Sequence, residues 1–237
     1  AVQPYLPESH LLQNFAMLQR MCRKYPIVFL KPIRGSLGKG IIRVVRRSEG
    51  GYSCQYATVN GTKTQHFATL SALHRAVAGK LKAGRYQVQQ GLNLISIGGR
   101  PMDFRALVQK DKNGKWQLTS IVARIAGNHH FVSNLARGGT LSPVKEALGK
   151  SDLGGAAAVA LARLKRAALA IAHALEQQVR EHFGELGIDL AVAKGGRVWL
   201  LEVNSKPSKN DNTAMPDQKI RPSVRQLLLY CRHLARL

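Results

Sequence analysis

Asp189, Glu202 and Asn204, in the run GIDLAVAKGGRVWLLEVNSKP from Gly187 to Pro207, are the residues whose types and spacing point most directly to chemistry. The Gly195-Gly196 dipeptide favours a two-residue hairpin turn. With Lys194 paired to Arg197 across it, counting back pair by pair sets Asp189 opposite Glu202, their Cβ atoms about 5 Å apart. Ile188, Leu190, Val192, Trp199, Leu201 and Val203 would then form one apolar, buried face. Facing like charges destabilise a sheet, so a shared proton, a neighbouring Lys or Arg, or a divalent cation must offset the repulsion. Asn204, two residues beyond Glu202 on the same side of the pleat, adds a neutral oxygen. Three oxygens suit Mg²⁺ better than zinc, while an acidic pair satisfied by basic neighbours is the competing account.

A second chemical segment lies far upstream. In KPIRGSLGKG, Gly35, Gly38 and Gly40 stand beside Lys31, Arg34 and Lys39. Glycines let backbone N–H groups approach phosphate oxygens, and the cations neutralise their charge. The segment is not a Walker A loop: GxxxxGK[ST] is unmatched and a strand pattern, not a helix, follows. Alone it reads equally well as a hairpin loop. Because Mg²⁺ is usually held by a few protein oxygens plus substrate phosphates, the two segments together point to a nucleoside triphosphate.

These residues need elements to position them. Leu11, Phe15, Leu18 and Cys22 follow a helical period that Tyr25-Pro26 ends. IVFL from Ile27 is a strand that delivers Lys31 to the glycine segment, and IIRVV is the next strand. YSCQYATV and TKTQHFA flank Asn60-Gly61, a helix is expected over Ser71 to Leu81, and RYQVQQ is a strand. LNLISIG leads into PMDFRALVQKD and KWQLTSIVARIA, joined at Asn113-Gly114. SNLARGGTLSPVKEALGK reads as an irregular loop over a site. Ser151 or Asp152 caps a long helix with Leu164, Ala168, Ile171, Leu175, Val179 and Phe183 along one face. A last helix carries Val224, Leu227, Leu228 and Cys231. The pattern is α+β, with a small lobe over residues 1–90 and a large lobe over 91–237.

The chain of 237 residues is 45% hydrophobic, enough for a proper core. Its net charge of +23 is extreme, and between Glu8 and Asp103 the only acid is Glu49. Such a field attracts nucleic acid, an anionic membrane surface or a phosphate-rich ligand. With no zinc-finger spacing and 6% aromatics, nucleic acid is not the favoured partner. Cys22, Cys54 and Cys231 suit neither a disulfide framework nor a zinc site, so a reducing cytosol is the simplest home. No stretch reaches the roughly 20 apolar residues a membrane span needs. The opening AVQPYLPES, without an initiator Met, reads as a chain lacking its natural start. His129-His130 reads as a solvated loop pair, Arg163, Lys165 and Arg166 as a solvated helix face, and Arg105 as a partner for Asp103.

Lys31, GSLGKG, Asp189 and EVNSKP resemble the ATP-grasp superfamily. LPES, FLKPIRGSLGKGI, DFRALVQKDKNGKWQLTSIVARIAG, SNLARGG and LEVNSKPS resemble its endospore coat-associated branch of the YheC/YheD type, over nearly the whole chain. The resemblance implies two lobes with Mg-ATP between them, and ADP-forming ligation of a carboxylate to an amine through an acyl phosphate. It implies that Lys31 contacts ATP phosphates, that Ser36, Gly38, Lys39 and Gly40 close over them, and that adenine packs against a hinge at Val88 to Leu92, including Gln89, Gln90 and Leu92. Asp189, Glu202 and Asn204 would hold Mg²⁺. Arg105 and Arg124 would face the transferred phosphate, while Asn134, Gly138, Gly139 and Lys206 would border the acceptor site. Gln90 departs from the Glu of many relatives, and the second phosphate-binding Lys that relatives carry upstream of LPES is missing. The setting implied is cytoplasmic with a spore association. The rival reading is a spore-coat structural or polyanion-binding protein that keeps a nucleotide fold without ligase activity.

Overall fold

The structure is a computed structural model that describes residues 2–34, 39–58, 61–82, 85–127, 138–179, 181–207 and 220–235. By contacts the chain divides into two units. One comprises Pro7–Asn93 with Ala126–Gly139, and the other comprises Ala1–Leu6, Leu94–Ile125 and Thr140–Leu237. The first few residues, which the sequence reading assigned to the small lobe, therefore group with the second unit.

In the first unit, β1 (Ser9–Leu11), β2 (Ile27–Pro32), β3 (Ile42–Arg46), β4 (Tyr52–Thr58), β5 (Gly61–Phe67) and β6 (Tyr86–Gln90) form an antiparallel sheet in the order β1-β6-β2-β3-β4-β5. Helices α1 (Phe15–Lys24) and α2 (Leu70–Lys82) complete the unit. Strand alternation sends Val28, Leu30, Ile42, Val44, Cys54 and Val88 to one face, where they bury with Leu18 and Met21 of α1 and Leu73 and Val77 of α2. The opposite face carries Phe29, Lys31, Arg43, Gln55 and Gln89, as the pairings Phe29 to Gln89, Phe29 to Arg43 and Arg43 to Gln55 require.

The opening helix is shorter than its periodicity suggests. Leu11 lies in β1, where Leu11 pairs with Gln87, and the helix begins only after Asn14, whose side chain accepts from the Met17 amide at 3.0 Å. A period-3.6 match cannot tell a strand residue from a helical one when the cap lies between them.

Glu8, just before β1, accepts from Lys24 Nζ at 2.5 Å and from the Tyr25 hydroxyl at 2.8 Å, and lies 3.1 Å from His10 Nε2. The Lys24 hydrogen bond, helped by Tyr25 and His10, pulls its carboxyl pKa down to about 2. A depressed acid contributes stability above its unfolded pKa and loses it as pH falls through the folded value. Glu8→Gln is therefore expected to lower the unfolding free energy by about 1 kcal/mol at pH 7, since the site is partly solvated. The difference should fade between pH 5 and 2, as measured by urea unfolding across that range.

In the second unit, β7 (Ser96–Ile97), β8 (Arg100–Lys110), β9 (Trp116–Ile125), β10 (Thr140–Pro143), β11 (Glu185–Val192) and β12 (Val198–Asn204) build an antiparallel sheet in the order β10-β9-β8-β11-β12, with β7 paired to β8. Its helices are α3 (Val144–Gly149), α4 (Ala157–Val179) and α5 (Pro222–Leu234). Asp111 pins the β8-β9 turn by accepting from the Asn113 and Lys115 amides at 2.8 and 2.9 Å, with Gly114 at φ 71°.

Two expectations are corrected in this unit. The described part of the supposed irregular loop is regular, since Thr140 to Pro143 pairs with Ile125 to Val122 and α3 follows at once. A four-residue strand offers too little alternation to be read from sequence. Ser151 and Asp152 do not cap α4 either. Ser151 donates to the Leu148 carbonyl at 2.7 Å, Asp152 accepts from Ser96, and a 3₁₀ turn at Gly154–Ala156 precedes α4. Leu164, Ala168 and Ile171 are buried along α4 as expected, but Val179, its last residue, is 47% exposed.

Candidate functional site

Strands β11 and β12 do bring Asp189 opposite Glu202, by a route different from the one the sequence suggested. The turn is one residue longer: the Ala193 amide donates to the Arg197 carbonyl at 2.9 Å and the Gly196 amide to the Ala193 carbonyl at 2.7 Å, with Gly196 at φ 75°. Val192 therefore pairs with Val198 and Leu190 with Leu200, one residue off the expected register. A bulge between Asp189 and Leu190 leaves Leu201 as the extra residue and restores the register at Glu202. Parity is reversed before the bulge, so Val198, Leu200 and Val203 face the core with Ile188, Leu190 and Val192, instead of Trp199 and Leu201. Trp199 is covered otherwise, with the Arg197 guanidinium 3.8 Å from its ring centroid.

Asp189, 4% exposed, has Arg105 of β8 on its other side. Arg105 donates through Nε to Oδ1 and through Nη2 to Oδ2 at 2.9 Å, and Arg124 of β9 places Nη2 2.9 Å from Oδ2. Arg124 also donates through Nε to Asp103 at 2.5 Å. Arg105 thus pairs with Asp189, not with its strand neighbour Asp103. Burial works against the charge of Arg124, but Asp103 and Asp189 more than offset it and hold that guanidinium above its ordinary pKa. The basic-neighbour account therefore describes Asp189 in this protein.

It does not describe Glu202. Glu202 is exposed and makes no ion pair among the described residues. Asn204 has its Nδ2 buried with no partner among those residues, a donor left unsatisfied at a cost of about 1–3 kcal/mol unless an acceptor such as a phosphate oxygen meets it. Opposite Asn204, Gly187 is packed too closely for a side chain: a Cβ there would lie 2.8 Å from Pro207 Cβ and 3.6 Å from Arg105 Cδ. The donor set fits a small hard cation. Three N–H groups reach Asp189, leaving about one of a carboxylate's four acceptor directions, and Glu202 and the Asn204 amide supply further oxygens. Among the described residues no group of three or more His, Cys, Asp or Glu could hold a metal ion, so a cation here would depend on the Asn204 amide oxygen as well as the two carboxylates.

In the first unit, Lys31 donates to Gln89 Oε1 at 2.5 Å, and Gln89 Nε2 donates to Ser9 Oγ at 2.8 Å. The Gln90 amide donates to the Glu8 carbonyl at 2.8 Å and the Gly91 amide to the Ile27 carbonyl at 2.9 Å. Leu92 follows this clamped stretch, half-buried. Lys39 and Gly40 are exposed, and Gly40, at φ 76°, receives a hydrogen bond from the Tyr86 hydroxyl at its carbonyl, 3.2 Å away. Ser36, Gly38, Asn134 and His129-His130 lie outside the described residues. Gly138, at φ 76°, Gly139 and Lys206 are at least partly exposed. Arg163 is more than a solvated helix face, because its Nη1 donates to the Gly196 carbonyl of the turn at 2.9 Å. Sequence reasoning passed over Ser9 and Gly91. Ser9 carried a signal in LPES, whereas Gly91 sits in no turn pattern.

The YheC/D-like ATP-grasp family model matches residues 1–234. The endospore coat-associated protein YheD of Bacillus subtilis (strain 168) is 29% identical over 208 residues, 87% of this chain and 45% of that protein. YheC of the same organism is 25% identical over 222 residues, 92% of this chain and 59% of that protein. The chain spans about half the length of these relatives. Among solved structures, the VanG D-Ala:D-Ser ligase of Enterococcus faecalis superposes with a TM-score of 0.54 at 14% identity, over 97% of this chain and 56% of the ligase. The ATP-grasp ligase PsnB, solved with a precursor variant, Mg and ADP, gives 0.51 at 12% identity over 97% of this chain and 54% of PsnB. The α+β fold is that of the ATP-grasp proteins. Among the described residues no helix is long and apolar enough to cross a membrane.

Proposed function

Because the chain belongs to the YheC/D-like ATP-grasp family, we propose that it takes part in ATP-dependent, ADP-forming ligation of a carboxylate to an amine. The observation that carries this reading is the pair of carboxylates on β11 and β12, one locked by two arginines and the other without an ion pair among the described residues, beside the Asn204 amide. Lys31, with the glycine segment at Ser36, Gly38, Lys39 and Gly40, takes the phosphates. The stretch Gln89 to Leu92 takes the adenine. Asp189, Glu202 and Asn204 hold Mg²⁺, which supplies charge neutralisation at the phosphate oxygens when bound.

The proposed reaction runs in two steps. A substrate carboxylate oxygen attacks the γ-phosphorus, the bond to ADP breaks, and an acyl phosphate forms. The amine attacks the acyl carbon, the C–O bond to phosphate breaks, and an amide results with loss of an amine proton. Each guanidinium has five donors; Arg105 and Arg124 spend two apiece on carboxylates and can offer others to the transferring oxygens as charge spreads over them. Asn134, Gly138, Gly139 and Lys206 border the acceptor. The coat association in the names of YheC and YheD supports a spore setting for this chain as well.

The test is thermal stabilisation by Mg-ATP. The wild type should gain several degrees and Glu202→Ala should gain none, with its ligand-free melting temperature unchanged. A wild type indifferent to Mg-ATP would overturn the nucleotide reading, and release of AMP in place of ADP would overturn the acyl phosphate. The net charge of +23 favours a second reading, a polyanion-binding coat protein. That reading requires strongly salt-dependent binding to nucleic acid or another polyanion that ATP does not displace.

A further inference from the structure

LPES, Leu6 to Ser9, is left without a role by the ligase reading, yet it is tied to the strand that would face adenine. Pro7 is buried, and the Glu8 backbone grips Gln90 from both sides: its carbonyl accepts from the Gln90 amide at 2.8 Å, and its amide donates to Gln90 Oε1 at 3.3 Å. Ser9 then acts on the neighbouring glutamine. Its hydroxyl donates to the Pro7 carbonyl at 3.0 Å and accepts from Gln89 Nε2 at 2.8 Å. Gln89, 9% exposed, accepts at Oε1 from Lys31 Nζ at 2.5 Å.

The direction of this chain is fixed by donor and acceptor count. A serine has one hydroxyl hydrogen, and here it is given to Pro7, so Ser9 can only accept from Gln89. The Gln89 NH₂ must then face Ser9 and its oxygen must face Lys31. A flipped amide would set NH₂ against an ammonium, two donors facing each other, and would require Ser9 to abandon Pro7. Both ends of the chain enforce one orientation.

We propose that Ser9 is a positioning residue for nucleotide binding: by locking the Gln89 amide it presents an oxygen that holds the Lys31 ammonium in place on the face of the sheet opposite α1 and α2. A pre-placed ammonium loses little rotamer freedom when it meets phosphate, and that is where the affinity arises. Gln89 has a second consequence here, because a neutral oxygen steadies Lys31 without neutralising it, whereas a carboxylate would compete with the phosphate for the same charge.

The inference rests on the nucleotide reading above, and its test separates the two. MgADP affinity is measured by calorimetry for the wild type, Ser9→Ala, Ser9→Thr, Lys31→Ala and the double variant Ser9→Ala/Lys31→Ala, with competition to millimolar ADP for the weakest. Ser9→Ala should weaken MgADP about fivefold, the worth of one hydrogen bond, and Ser9→Thr, which keeps the hydroxyl, should restore most of it. In the Lys31→Ala background the Ser9→Ala step should have no effect, since the chain no longer ends on an ammonium. A fivefold loss in both backgrounds would show a merely structural role for Ser9, and no loss in either would show none; each overturns the proposal while leaving the nucleotide site standing. A wild type that does not bind MgADP, or a Lys31→Ala variant that binds it as tightly as the wild type, overturns both.

Discussion

Asp189→Ala should destabilise the ligand-free protein by about 3–5 kcal/mol, the usual cost of removing one partner from a buried ion pair. Two guanidinium groups lose their shared acceptor at once, and Arg124, whose side chain is 15% exposed, keeps only Asp103. Glu202→Ala touches the same proposed cation site but removes an exposed side chain with no ion pair among the described residues, so it should leave ligand-free stability within about 0.5 kcal/mol of wild type. Urea unfolding without nucleotide measures the contrast directly. Equal effects would mean that the arginines are not what holds Asp189. The two carboxylates, so alike in sequence, would thereby be assigned different work: one carries the packing of three strands, the other is free for a ligand.

The second large effect is expected at Gly91→Ala. A Cβ at this position would lie 2.5 Å from Ile27 Cγ2 and 2.6 Å from both Ile27 Cβ and the Ile27 carbonyl oxygen. Two of those three atoms are at or next to the backbone, so no rotamer change relieves the clash, and β2 and the stretch after β6 must part. The Gly91 to Ile27 hydrogen bond would break with them. A loss of about 3 kcal/mol, at the upper end of ordinary overpacking, is expected. It should appear as a lowered urea midpoint, with the proposed nucleotide contact of Lys31 weakened alongside, because Lys31 sits four residues along the same strand. Gly50, whose Cβ would meet nothing within 4 Å, is the internal control for crowding, though its φ of 97° adds a cost of its own.

Much of this was legible in the sequence because the relevant physics is local or strongly periodic. Short apolar runs marked β2 and β3, and α4 showed its apolar stripe. Lys31 followed from its place at a strand end before a glycine segment. What the sequence did not disclose depends on partners far along the chain. Arg105 could have met Asp103 two residues away; that it meets Asp189 is set by the pairing of β8 with β11, and no spacing encodes that choice. Gly91 owes its identity to the Ile27 side chain and carbonyl on a strand more than sixty positions earlier. Leu11 read as part of a helix because its true partner, Gln87 of β6, lies more than seventy residues away. The turn at Lys194 to Gly196 was misjudged by one residue, and the error was hidden because the bulge at Leu201 corrects it.

That compensation separates β12 into two phases. From Val198 to Leu200 the side chains keep time with the turn; from Glu202 to Asn204 they keep time with β11 and the arginines beyond it. Leu201 is the slipped beat between them. Change in the Lys194 to Gly196 turn is thus absorbed before it reaches the acidic end of the strand, and the two ends of one hairpin are free to diverge at different rates.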